Sequence, residues 1–176
     1  EMKWLQACAV IILAAVAGYS ATPAGIASLS LGAGARATAM GDAFAGLSDD
    51  CSAIYWNPAG LVNLKSGQIM AMYNQYWQGM TQQVICLGYP LSKANEIVVG
   101  AVVSYFTQPS FDILDELGNF SSKFEANDLI AGGGAAKRIN EKLTVGAQLK
   151  MVQSKFGTAV SRAYAADAGI LYILNN

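Results

Sequence analysis

Histidine is absent from this 176-residue chain. That absence removes Ser-His-Asp and Cys-His catalysis at once, together with most zinc sites. Charge is also scarce, at 13% of residues against roughly 25% in ordinary soluble domains. The net charge is −1 and no basic cluster occurs, which argues against a nucleic-acid partner. Of the three cysteines, no two are spaced as Cys-x-x-Cys. Finally, no apolar run reaches the roughly 18–20 residues of a membrane-spanning helix. Nevertheless 53% of the residues are hydrophobic, dispersed in short segments among 18 glycines. A transmembrane β-barrel has this profile, because each strand shows lipid only every second residue. No enzymatic activity and no cofactor or metal are expected.

Residues 1–24 read as a secretory signal peptide. Lys3 supplies the positive start, residues 7–17 form a short apolar core, and Gly18, Ser20, Ala21 and Ala24 offer small residues for cleavage. Removal of this segment leaves Cys51 and Cys86, read as free buried thiols in preference to a disulfide.

Residues 25–66 are rich in Gly, Ala and Ser, and from residue 67 the texture changes to alternating segments separated by polar turns. Six strands are expected, over residues 67–77, 81–91, 96–107, 124–137, 142–155 and 162–174. Most reach the roughly 9–11 residues that a tilted membrane strand needs. The fifth alternates most clearly, with Leu143, Val145, Ala147, Leu149 and Met151 on one face and Thr144, Gly146, Gln148, Lys150 and Ser154 on the other. In the sixth, Tyr164, Ala166, Ala168, Ile170 and Tyr172 oppose Asp167 and Gly169. Tyr73, Tyr76, Trp77, Tyr89, Tyr105, Phe106 and Tyr172 fall near strand ends, where interfacial aromatic girdles sit. The long link 108–123 is expected to be an external loop, since such barrels join strands by short turns on one side only.

Between residues 48 and 61 the local signals are of helix starts. Ser48 or Asp49 is expected to cap a short helix through Trp56. Asn57-Pro58 repeats the device, with Asn as cap and Pro at the first position, where no N–H is needed. The whole is a compact, small-residue element able to pack inside something narrow. Three stretches go further: Gly34-Ala35-Arg36, Met40-Gly41-Asp42-Ala43-Phe44, and the run Asp49-Asp50-Cys51-Ser52-Ala53-Ile54-Tyr55-Trp56-Asn57-Pro58-Ala59-Gly60-Leu61. With Tyr164-Ala165-Ala166-Asp167-Ala168-Gly169-Ile170-Leu171-Tyr172, they resemble the PorV/PorQ family of outer-membrane proteins. More distantly the chain resembles the FadL transporters, which share an Asn-Pro-Ala element. Cys51 departs from the small residue expected there.

The resemblance implies an all-β fold: an antiparallel transmembrane β-barrel of about 14 strands, within the range such barrels span, whose N-terminal segment plugs the lumen as a hatch. Six strands are fewer than the roughly eight of the smallest standard barrels, so the chain is expected to be the N-terminal part of a larger barrel. The domains expected are a signal peptide at 1–24, a plug segment at 25–66 with small helices, and barrel strands at 67–176. Asp49, Asp50, Tyr55, Trp56, Asn57, Pro58, Ala59 and Gly60 form the plug motif. The implied function is a transport channel for hydrophobic compounds in the bacterial outer membrane; the alternative is a type IX secretion component that docks exported proteins. Outer-membrane lipid, with hydrophobic small molecules or exported proteins, would be its partners.

Other candidate sites follow from the residues alone. Lys150 and Asp167 fall on the lumen face of neighbouring strands, either as a cross-strand ion pair or as two separately solvated charges. Arg36 and Asp42 are expected to contact the lumen wall. Asp112, Asp115 and Glu116 lack the spacing of a calcium loop, and Gly132-Gly133-Gly134 lacks the Gly-Lys-Ser/Thr of a phosphate loop. The glycine run is read as a bend or as close packing against the plug.

Overall fold

The computed structural model describes residues 27–92, 96–114 and 119–173; the expected signal peptide, Asp115 and Glu116 lie outside them. The chain is all-β apart from short helical turns near its start. Its strands are β1 (Gln68–Gln75), β2 (Thr81–Ser92), β3 (Ile97–Thr107), β4 (Phe111–Leu114), β5 (Phe120–Phe124), β6 (Ala126–Arg138), β7 (Leu143–Phe156) and β8 (Ala159–Tyr172). Six of these form one antiparallel sheet in the order β1-β2-β3-β6-β7-β8. The six expected strands are therefore present, with ends displaced by up to three residues. β1 and β8 do not pair with each other among the described residues, so these six strands do not by themselves close into a barrel.

The long link expected at 108–123 is not without secondary structure: it holds the hairpin β4–β5, a separate two-stranded sheet. Alternate residues Phe111 and Ile113 pair with Phe124 and Ser122, and the rings of Phe111 and Phe124 stack at 4.9 Å. That cross-strand contact stabilises a ladder where turn-forming residues alone had argued for a loop. At the same end of the sheet, β7 and β8 are joined by only Gly157-Thr158, with Gly157 at φ 57° as a tight hairpin requires. Long links are thus not the rule at that end.

One face of the sheet is apolar and exposed, and the other is a buried mixture of polar and apolar side chains. Ile69, Ile85, Leu87, Leu149, Tyr164 and Ile170 stand exposed on one face, with Leu149 72% and Tyr164 81% accessible. On the other face Gln82, Ser104, Asp128, Thr144, Gln148 and Ser154 are buried. In a water-soluble sheet the alternation runs the other way, since an exposed Leu or Ile forgoes about 1.5–3 kcal/mol of burial. Tyr73, Trp77, Tyr89, Tyr105 and Tyr172 are exposed towards strand ends, as expected. Tyr76 and Phe106 depart from that expectation: the Tyr76 hydroxyl bonds buried Gln82 at 2.7 Å, and the two rings meet edge to face. Their even-numbered positions put them on the polar-lined face.

That face is covered by residues 27–64. They comprise a 3-10 turn (Ala27–Ser30), α1 (Ala35–Ala39), α2 (Ala53–Trp56) and a 3-10 segment (Pro58–Asn63). Ala33, Ile54, Leu61 and Leu64 pack on Val84, Cys86, Val98, Val102 and Ala136 of the sheet. The segment also reaches both edge strands. Cys51 N–H donates to Gln68 Oε1 at the start of β1, and Asn57 Nδ2 donates to the Ile170 carbonyl of β8. The sheet is consequently wrapped around a short polypeptide that touches its two ends. Cys51 and Cys86 are both buried free thiols.

Candidate functional site at the junction of segment and sheet

The Pro58–Asn63 segment lies close to the sheet because glycines leave room for it. Gly88, Gly100 and Gly134 are register partners across β2, β3 and β6, and Ala136, Gly146 and Gly169 continue across β6, β7 and β8. A Cβ on Gly146 would stand 2.5 Å from the Ala59 nitrogen and the Pro58 carbonyl carbon. One on Gly169 would overlap Asn57 Oδ1, and one on Gly100 would come within 2.9 Å of Leu61 Cδ1. Here the glycines permit backbone-to-backbone approach that any larger residue would block.

Asn57 organises the junction. Its Oδ1 accepts from Ala59 N–H at 3.2 Å, capping the Pro58–Asn63 segment as the sequence predicts. Its Nδ2 donates to the Ala45 carbonyl at 3.0 Å and the Ile170 carbonyl at 3.3 Å. One side chain therefore fastens three pieces of chain. Pro58 and Ala59 are buried beneath it. Gly60 is buried too, and a Cβ there would overlap Ser48.

The preceding turn departs from the expected capping. Ser48 turns its hydroxyl back to the Phe44 carbonyl at 3.0 Å, and Asp50 instead receives Ser52 N–H at 2.8 Å. The helix is shorter than expected because Asp50 forms a tight turn immediately before it. Asp49 pairs with Arg36 through two contacts of 2.6 and 3.1 Å, and the guanidinium lies 5.5 Å from the Phe44 ring. Arg36 thus binds within the segment and not to the sheet, which corrects that expectation. Asp42 also stays within the segment, its carboxylate lying where a Cβ on Gly32 would point.

Tyr55 and Trp56 hold the segment together from the other side. The Tyr55 hydroxyl donates to the Leu31 carbonyl at 2.6 Å, and Trp56 Nε1–H donates to the Ala33 carbonyl at 2.8 Å. Their rings meet edge to face at 5.8 Å. Burial raises the Tyr55 phenol to about 12, because the phenolate would lose its hydration.

Lys150 and Asp167 form an ion pair on the covered face, with Nζ 2.6 Å from Oδ2. The same Oδ2 accepts from Gln148 Nε2 at 2.6 Å, while Gln148 Oε1 is buried with no partner. Gly132 lies under the lysine stem, since a Cβ there would stand 2.8 Å from Lys150 Cγ. A Cβ on Gly134 would likewise crowd Gln148. The glycine run therefore clears space for β7 side chains, within a continuous strand that packs against the Pro58–Asn63 segment.

These elements enclose a pocket of about 430 Å³ between the segment and β7–β8. Tyr55, Trp56, Asn57 and Pro58 line it from one side, and Gln148, Lys150 and Asp167 from the other. Part of the 49–60 motif and the Lys150–Asp167 pair, more than ninety residues apart in sequence, thus share one site. Asp49, Asp50, Ala59 and Gly60 do not line it. Gln148 was not singled out by sequence, although its position two residues before Lys150 places it on the same face. The described residues contain no cluster of three metal-ligating side chains.

No family model, curated protein or solved structure matches this chain.

Proposed function

We propose that the chain is wall and plug of an outer-membrane β-barrel of the PorV/FadL-like kind, exported by the signal peptide at 1–24 and serving as a conduit for hydrophobic compounds. The observation that carries this reading is the exposed apolar face of the sheet. Apolar side chains face outward, where outer-membrane lipid would remove them from water, while the covered face mixes polar and apolar side chains against the N-terminal segment. Strand length agrees: β2, β3, β6, β7 and β8 have 11 to 14 residues, enough to cross a bilayer at a tilt. In this reading further strands pair with the edges at β1 and β8, because unpaired backbone cannot face lipid. The protein acts without enzymatic chemistry or a cofactor.

A second reading, docking of exported proteins in type IX secretion, draws support from the β4–β5 hairpin. Phe111, Leu114 and Phe120 are exposed there, beyond the ends of β3 and β6, and such side chains suit a protein partner. Fractionation tests the shared premise. The full-length product is expected in the outer membrane, resistant to carbonate extraction; recovery from the soluble fraction overturns both readings. Uptake of a hydrophobic dye by cells expressing it, against co-purification of secreted proteins, then separates conduit from dock.

A further inference from the structure

We propose that the pocket between Trp56 and the Lys150–Asp167 pair binds a neutral compound carrying several hydroxyl groups on or beside a ring, of the sugar or glycoside class. This goes beyond the conduit reading, whose cargo is hydrophobic, and rests on that reading only for where the pocket sits in the cell.

The argument begins with unused hydrogen-bonding capacity. Lys150 and Gln148 both engage Asp167 Oδ2, leaving Oδ1 without a partner among the described residues. An ammonium has three N–H groups, of which Lys150 spends one on Asp167. Gln148, only 3% exposed, holds the Asp167 carboxylate from behind through Nε2 and keeps its Oδ1 turned to the pocket side of the pair. Acceptors and donors therefore stand side by side on a wall whose charges already cancel. A hydroxyl both donates and accepts, so vicinal hydroxyls can meet both kinds of group and leave the ion pair intact.

A charged ligand faces a different balance. A carboxylate would have to compete with Asp167 for Lys150, and an ammonium would have to compete with Lys150 for Asp167. Either leaves one pair member exposed to an unmatched neighbour in a half-buried site. Across the pocket, Tyr55 and Trp56 supply ring surface for the apolar edge of the ligand. Their polar atoms are committed to Leu31 and Ala33, so the rings are held in place before any ligand arrives. Volume agrees, since 430 Å³ falls towards the lower end of small-molecule sites.

The test uses the full-length chain in sugar-free amine-oxide micelles, with calorimetric titration of three water-soluble probes: phenyl β-glucoside, phenylacetate and benzyltrimethylammonium. Phenyl β-glucoside is expected to bind saturably at one site, with both charged probes weaker by tenfold or more. Gln148→Leu is expected to weaken the glucoside by about tenfold, because Asp167 loses the donor that fixes its carboxylate. Ala45→Trp fills the pocket from an exposed loop position without touching a polar group, and is expected to abolish binding at unchanged circular dichroism. Equal or tighter phenylacetate binding overturns the proposal, as does glucoside binding that survives Ala45→Trp. Absence of saturable glucoside binding by natively folded wild-type protein overturns it too. Carbonate-resistant membrane location is measured separately, so the pocket can fail while the barrel reading stands, or the reverse.

Discussion

Lys150 meets Asp167 diagonally: their ion pair spans 2.6 Å although the backbone register sets Lys150 opposite Ala165 and Asp167 opposite Gln148. The reach of the lysine stem across one step of the ladder, over Gly132, makes this possible. The lysine side chain is 15% exposed and the aspartate 37%. The two partners are thus unequally dependent on each other.

Removal of the carboxylate should cost more than removal of the ammonium. Asp167→Asn leaves a largely buried cation without its counter-ion and is expected to destabilise by about 1–3 kcal/mol. Lys150→Met leaves a more exposed aspartate still bonded by Gln148, and should cost less. The double variant should recover part of the sum. Chemical unfolding in micelles measures the cycle, and zero coupling would remove the ion pair from the account of the site.

The glycine row predicts a sharp positional contrast. At Gly146 an added methyl collides with the Pro58–Ala59 backbone, so Gly146→Ala should cost about 1–3 kcal/mol as an overpacked contact does. At Gly133, on the outward face, the nearest atom to an added Cβ is 3.7 Å away. Gly133→Ala should therefore be neutral within about 0.5 kcal/mol. Limited proteolysis of residues 27–64 should accelerate in the first variant alone.

Alkaline pH should loosen the N-terminal segment through Tyr55. Its folded phenol titrates at about 12, above the unfolded value near 10. A raised folded value means that stability is complete below pH 10 and is lost as pH climbs towards 12. Thermal midpoints across that window should fall more for wild type than for Tyr55→Phe. Parallel curves would show that Tyr55 is not the group responsible.

Arg36 offers a weak contrast case. Its bidentate pairing with Asp49 is half-exposed, with side-chain accessibilities of 52% and 37%. Such pairs contribute about 0–1 kcal/mol, so Arg36→Ala should shift the thermal midpoint little, and less than Asp167→Asn. A larger loss would mean that the contact with the Phe44 ring dominates.

Much of the wall could be read directly from residue order. The alternation at 143–151 places Leu149 outward and Gln148 and Lys150 inward, and the structure agrees. The Asn57-Pro58 cap was equally legible, because capping involves neighbours two residues apart. Less legible was the 108–123 link, where Pro109 and Asp112 argued for a loop and the stacking of Phe111 on Phe124 decided for a hairpin. Ser48 misled for a similar reason: several oxygen-bearing side chains lie within five residues, and only packing selects which one caps.

By itself, then, the sequence determined the period-two strands, their apolar face, the change of texture near residue 67 and the Asn-Pro turn. All follow from side-chain alternation and local hydrogen bonding, which act between near neighbours. Tertiary structure alone decided that Asn57 reaches Ile170 across 113 residues, that Gly146 and Gly169 admit the plug backbone, and that Gln148 completes the Lys150–Asp167 site. Those contacts depend on strand register and on how closely a separate segment can approach the sheet. Both are set by packing between distant parts of the chain, which no local pattern encodes.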